Sequence, residues 1–369
     1  MVHRILALIY KEFLAVWRDK KSRMVLIIPP FTQLLIFAFA ATLDVQNVSI
    51  GILNRDSGKP AYELVQRFCG APTFQHITHL SAVEEIASFI DNKKGVMVLS
   101  IDEQFSRNIE AKNQTNVQLI LDGRKSNTAQ IVAGYASTIV DQFNLDFAEK
   151  AQVSVQSAAL FPRNWFNPNL IYYWFNVPSL CGILTMLEAL IITALSVARE
   201  RELGTFDQLL VSPIRPIEIL IGKSVPAIII AMIAGSVIIF AGVHFFRIPF
   251  TGSLAALYSS MFVFISAIVG IGLFISSLCS TQQQAILGSF VFMSPSVLLS
   301  GFATPIENMP TWLQPFTLLI PLRYFLVVAK GSFLKAMPVD MVWSNTWPMA
   351  IIAIFTLTAA RWFFRHRLE

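Results

Sequence analysis

Charge is scarce in this chain: Asp, Glu, Lys and Arg make up 14% of its 369 residues, where soluble domains carry roughly a quarter. With 54% hydrophobic residues and a mean hydropathy of +0.59, an ordinary soluble domain is excluded and an integral membrane protein is indicated. Cysteine is nearly missing. Cys69 stands alone in a polar region, and Cys181 and Cys279 fall in or beside apolar runs, so no disulfide framework can be built. His76 and His79 stand close together, but on a strand they point to opposite faces with no third ligand in view, which argues against a metal site. No Ser/His/Asp or Cys/His set can be assembled, and no enzyme is indicated. A nucleotide loop is also lacking. Gly222-Lys223-Ser224 ends like one, but Ile217 occupies the position that needs glycine, and Gly58-Lys59 runs into Pro60. The basic excess forms no stripe with interleaved aromatics, so nucleic acid is not a partner. No internal repeat of 20 to 50 residues stands out.

What the chain does have is long apolar runs. Residues 1–23 carry Arg4, Lys11, Arg18, Lys20, Lys21 and Arg23, while Leu6, Ile9, Tyr10, Phe13, Val16 and Trp17 recur at helical spacing. This pattern suits an amphipathic helix on the inner membrane surface, in contact with membrane lipids. Residues 24–43 are about long enough to cross the hydrocarbon and form a first transmembrane helix. Ala38-Phe39-Ala40 imitates a signal-peptide cleavage site, but the long amphipathic lead with Glu12 and Asp19 argues for an uncleaved anchor. Further spans are expected at 174–197, 225–246, 254–278, 285–303 and 343–360. Six crossings result. The 304–342 segment, apolar over Trp312 to Val328 but broken by Pro315, Pro321 and Arg323, reads as a re-entrant or interfacial pair of short helices, a candidate pathway wall.

Residues 44–170 have a soluble composition. Alternation at Val48, Ile50 and Ile52, then strand-like runs at 95–101 and 117–121, interleave with helical spacing at 61–68, 83–90 and 127–150. The expected fold is therefore a membrane α-helical protein of six transmembrane helices, with an inserted α/β extracytoplasmic domain and an N-terminal interfacial helix. Positive residues cluster in the N-terminal segment, in 198–223 and in the 361–369 tail, whereas His244 to Ser253 holds only Arg247. Both termini are expected in the cytoplasm and the α/β domain outside, which in a Gram-negative cell is the periplasm.

The 198–223 loop is the most informative stretch. Arg199, Glu200, Arg201 and Glu202 end an apolar run, and Thr205 with Gln208 has the form of a capping box closed by Ser212-Pro213. The resulting helix of about two turns is too short to stand alone. A partner protein or the lipid headgroups must hold it. Within the spans, Glu188 is the one acidic residue at mid-membrane, with Thr185 and Thr193 nearby. A carboxyl there is by default a functional candidate, with packing as the alternative.

RERELGTFDQLLVSPI in this loop resembles the cytoplasmic loop of ABC-2-type transporter permeases. SSLCSTQQQA at 276–285, SGFATPIENMP at 300–310 and NWFNPNL at 164–170 carry the same resemblance. It implies that Arg199, Glu200, Arg201, Glu202, Gly204, Thr205, Phe206, Asp207, Gln208, Leu209, Leu210 and Pro213 form the coupling element that docks on a separate ATPase subunit. It further implies a second permease subunit, ATP and Mg held by the partner ATPase with no cofactor on this chain, and, in systems with large periplasmic domains, a periplasmic adaptor. Glu188, Thr185 and Arg323 are the candidate pathway residues. The expected activity is outward movement of a small amphiphilic or hydrophobic substrate. Two rival readings are a proton-coupled secondary transporter using Glu188 and a membrane-anchored receptor that binds ligand through its external domain.

Overall fold

The computed structural model describes residues 2–18, 20–39, 47–111, 113–150, 167, 171–205 and 214–366. The chain divides into two compact units, Thr42–Pro162 and the remainder, Met1–Ala41 with Arg163–Glu369.

The smaller unit is a layered α/β structure. In chain order it runs β1 (Ser49–Asn54), α3 (Lys59–Gly70), β2 (His76–His79), α4 (Glu84–Asp91), β3 (Met97–Ile101), α5 (Phe105–Glu110), β4 (Gln118–Leu121) and α6 (Ser126–Lys150). The sheet order is β2-β1-β3-β4, with β1 parallel to both neighbours and β4 antiparallel to β3. Central parallel strands are covered on both faces and therefore read as apolar runs. Ile50, Ile52, Met97 and Leu99 bury one face against Leu64, Phe68, Val132 and Phe143, while Leu53 and Val98 meet Ile86 and Phe89 on the other. One carboxylate ties two loops together. Asp56, between β1 and α3, accepts from the Ser106 amide at 2.5 Å and the Gly58 amide at 2.7 Å. Ser106 Oγ in turn accepts from the Ala61 amide at 3.2 Å, in the first turn of α3, so orphan donors at two helix starts are satisfied at once.

The larger unit is all helical: α1 (Val2–Arg18), α2 (Lys20–Phe39), α7 (Tyr172–Glu202), α8 (Pro216–His244), α9 (Leu254–Leu278), α10 (Gln282–Leu299), α11 (Pro321–Leu334) and α12 (Val339–His366). Among the described residues, α7, α8, α9 and α12 are long and apolar enough to cross a membrane. The α2 helix opens on the charged Lys-Lys-Ser-Arg and α10 has 18 residues, and neither meets that measure. The most deeply buried helix is α7, which packs against α8, α9, α10, α11 and α2, whereas α12 turns most of its surface outward. Small residues permit this crowding, as expected where lipid offers no hydrophobic drive between helices. A Cβ on Gly272 of α9 would sit 1.9 Å from Thr193 Oγ1 of α7, and one on Gly270 would sit 2.3 Å from Thr356 Oγ1 of α12. The 304–342 segment resolves into two short 3-10 turns, Ile306–Asn308 and Gln314–Leu319, followed by α11. Phe325 of α11 stacks on Phe264 of α9 with centroids 4.5 Å apart, so this helix belongs to the core of the unit.

Candidate functional site

Three helix segments meet where the apolar length of the larger unit gives way to charge. Lys223, in the third turn of α8, is 4% exposed. Its ammonium donates to Glu12 Oε1 of α1 at 2.8 Å and to Ser196 Oγ of α7 at 3.0 Å, and Ser196 Oγ donates to Glu12 Oε2 at 2.9 Å. Glu200 Oε2 lies 2.8 Å from the same ammonium as an ion pair, without hydrogen-bond alignment. Lys11, half exposed, closes the set at 2.5 Å from Glu200 Oε1. Two cations and two carboxylates thus neutralise one another. A buried charge without such partners is costly, so each member depends on the rest. The result is a joint: α1, the end of α7 and the start of α8 are fixed to one another.

The same end of α7 holds α9 and α10. Arg201 donates to the carbonyls of Ser277 at 2.8 Å and Cys279 at 2.9 Å, two of the acceptors left open at the C-terminus of α9. Glu202 accepts from the Gln282 amide at 2.9 Å, at the start of α10, where a carboxylate is favoured. Ser276 Oγ donates to the Ala194 carbonyl at 2.5 Å. Helix α7 then stops at Gly204, whose φ of +69° suits glycine. The Thr205 amide bonds to the Glu200 carbonyl at 2.9 Å and the Gly204 amide to the Arg201 carbonyl at 3.0 Å, the paired pattern of a Schellman stop. Helix α8 restarts after Arg215, whose amide donates to Glu218 at 2.9 Å.

Of the residues expected to couple to an ATPase, Glu200, Arg201 and Glu202 are engaged within the chain, and Arg199 also has a partner. Helix α7 continues through all four, so the charges do not end it. Gly204 and Thr205 form its stop. Phe206, Asp207, Gln208, Leu209, Leu210 and Pro213 lie outside the described residues, as do all but Asn167 of the NWFNPNL stretch and the whole of 151–166. Asn167 makes reciprocal bonds of 2.9 Å with the amide and carbonyl of Ile171, at the entry to α7.

Of the three pathway candidates, Thr185 and Glu188 lie one turn apart on α7, whereas Arg323 is on α11. Glu188 lines a cavity bounded by α1, α2 and α8. Thr185 is fully buried at the α7–α8 contact, 3.0 Å from where a Cβ on Gly235 would lie. Arg323, in the first turn of α11, bonds to Thr317 Oγ1 and faces the Tyr324 ring at 5.8 Å. Neither Thr185 nor Arg323 lines the Glu188 cavity. Glu12 and Lys223 carry no pairing signal in their local patterns, and Ser196 none at all. The signal for Lys223 lies in the helix as a whole: it is the one cation between Pro216 and His244, and a lone charge in an apolar helix needs a counter-ion.

The family model described as ABC-2 family transporter protein matches residues 20–362. The chain is 45% identical over 368 residues to the probable multidrug ABC transporter permease YbhR of Escherichia coli (strain K12), covering 100% of both chains. It is 31% identical to the probable multidrug ABC transporter permease YbhS of the same strain, covering 92% of this chain and 91% of that one. To the inner membrane transport permease YhhJ, also of that strain, identity is 27%, covering 95% and 94%. This chain therefore belongs to the ABC-2 transporter family, as a membrane permease subunit of a kind that works with ABC ATPase subunits.

Proposed function

We propose that this chain is the permease of a bacterial inner-membrane exporter that moves small amphiphilic, drug-like or lipid-like substrates outward, using ATP hydrolysed with Mg on a separate ATPase subunit. Two permease subunits, identical or similar, and two ATPase subunits form the working unit. The chain crosses the membrane six times, at 24–43, 174–197, 225–246, 254–278, 285–303 and 343–360. Both termini are cytoplasmic, and the α/β unit is periplasmic, where it meets an adaptor. Three of the relatives bear names of multidrug or inner-membrane transport, which supports the substrate class and the compartment.

The observation that carries the coupling part of this reading is the 2.8 Å contact between Lys223 and Glu200. These residues lie on opposite flanks of the loop that contains Phe206 to Val211. A push on that loop reaches α7 and α8 together, and α1 with them, rather than bending one helix. Docking of Phe206, Leu209 and Leu210 in an ATPase groove follows the logic of a short helix with an aromatic anchor. The test is Phe206→Ala combined with Leu209→Ala in the assembled transporter. Substrate-stimulated ATP hydrolysis and transport should both fall at least tenfold, with membrane insertion unchanged. Full stimulation in the double variant removes the docking role.

A further inference from the structure

Glu188 is the single charged residue between Tyr172 and Ala198, and it is 3% exposed. Its Oε2 is buried with no hydrogen-bond partner. A carboxyl in an apolar setting is expensive unless something answers it, and among the described residues no ion pair to it is found. The group faces a cavity of about 430 Å³, within the size range of small-molecule sites. Phe13 and Trp17 of α1, Phe31 and Leu34 of α2, and Ile233 and Val237 of α8 form much of its wall. One other charged residue lines it. Arg23 sits at the first turn of α2 with its Nε buried and without a hydrogen-bond partner, and no ion pair joins it to Glu188. The acid therefore stands at an open cavity with aromatic and aliphatic walls, Trp17 and Phe31 being largely exposed, and it is not ion-paired to the cation that shares the lining. Aromatic faces beside an unpaired carboxylate are the surroundings that hold an organic cation.

We propose that this cavity binds lipophilic cations, with the protonated amine, quaternary ammonium or phosphonium centre against the Glu188 carboxylate and the apolar body against Phe13, Trp17 and Phe31. A neutral or anionic amphiphile of the same bulk leaves the carboxylate unanswered and binds less well. The proposal names the substrate class for the export reading above and rests on it for physiological meaning, while binding itself is measured without transport.

The experiment uses the full chain in phosphatidylcholine nanodiscs and radiolabelled tetraphenylphosphonium as the probe. Wild-type chain should bind it saturably, and triphenylphosphine oxide, neutral and similarly aromatic, should compete at least tenfold more weakly. Glu188→Gln, which keeps the shape and removes the charge, should weaken binding at least tenfold. Ile233→Trp, which fills the cavity and leaves the acid in place, should do the same. If Glu188→Gln does not insert, Ile233→Trp and the neutral competitor decide the matter. Absence of saturable binding to the wild type overturns the proposal, as does unchanged affinity in either variant. Loss of the cation site with export of other compounds intact leaves the exporter standing, whereas tight cation binding by a chain that exports nothing removes the exporter and keeps the site.

Discussion

Lys223 Nζ stands 2.8 Å from Glu12 Oε1, although 211 positions separate the two residues. Through this contact the N-terminal helix is bound to the helix pair that flanks the 203–215 loop. An amphipathic helix held to the membrane by lipid alone can slide; one tied by a buried ion pair must move with α7 and α8. The joint ties α1 to the ends of α7 and α8.

Removing one member of a buried ion set leaves the others uncompensated, at a cost of about 3–5 kcal/mol. Lys223→Met should therefore lower the thermal midpoint of the purified chain markedly. Glu12→Gln added to Lys223→Met should recover part of the loss, because the two effects are not additive when residues touch. A thermal scan of the four chains of this cycle gives the coupling. A midpoint unchanged by Lys223→Met, or strict additivity of the pair, means the joint has no energetic weight.

Gly272 offers a test of how tightly α7 and α9 are packed. A methyl group there would meet Thr193 Oγ1 at 1.9 Å and Thr193 Cβ at 2.9 Å, so both backbones must shift. Overpacking of this sort costs about 1–3 kcal/mol. Gly272→Ala should reduce detergent stability, and Thr193→Ala in the same chain should restore part of it by removing the nearer atom. Wild-type stability of Gly272→Ala contradicts the close approach.

The long periodic elements were legible in the amino-acid order and the joint was not, for a physical reason. Hydrophobic runs report local burial: the uncharged stretch at 254–278 coincides with α9, and alternation at Val48, Ile50 and Ile52 marks β1. Partners of single charges are not local. Glu200 and Arg201 read as a charge cluster that ends an apolar run, and their contacts within the chain stay hidden because their partners Lys11, Ser277 and Cys279 lie 76 to 189 positions away. The resemblance of 276–285 to a known permease stretch was visible, but its use was not. The Ser276 hydroxyl, the Ser277 and Cys279 carbonyls and the Gln282 amide bond to the end of α7.

Asp56 gives the α/β unit a defined response to acid. Burial raises the pKa of its carboxyl, but the amides of Ser106 and Gly58 lower it further, and the net value lies below the ordinary 3.8. A folded-state value below the unfolded one adds stability that is fully present above pH 3.8 and is lost as pH falls through the lower folded value. Hydrogen–deuterium exchange at the Ser106 amide should thus be slower in the wild type than in Asp56→Asn at pH 6. The difference should shrink as the pH is taken below 4. A difference that stays constant across that range assigns the protection to packing and not to the charge.

Orientation can be read from the native cysteines. Cys69 is exposed at the end of α3 in the α/β unit, Cys181 is buried in α7, and Cys279 is partly buried beside Arg201 at the end of α9. Six basic residues precede the apolar 24–43 stretch, and such a bias holds that flank in the cytoplasm. On the topology proposed above, the first crossing would put Cys69 outside and the following crossings would return Cys279 to the cytoplasmic side. With Cys181 and Cys279 replaced, a membrane-impermeant maleimide should label Cys69 in intact spheroplasts. With Cys69 and Cys181 replaced instead, Cys279 should stay unlabelled until the cells are lysed. The two chains control for each other, since a leaky preparation labels both and an inaccessible thiol labels neither. Labelling of Cys279 in intact cells, with Cys69 reached only after lysis, reverses the topology and puts the α/β unit in the cytoplasm.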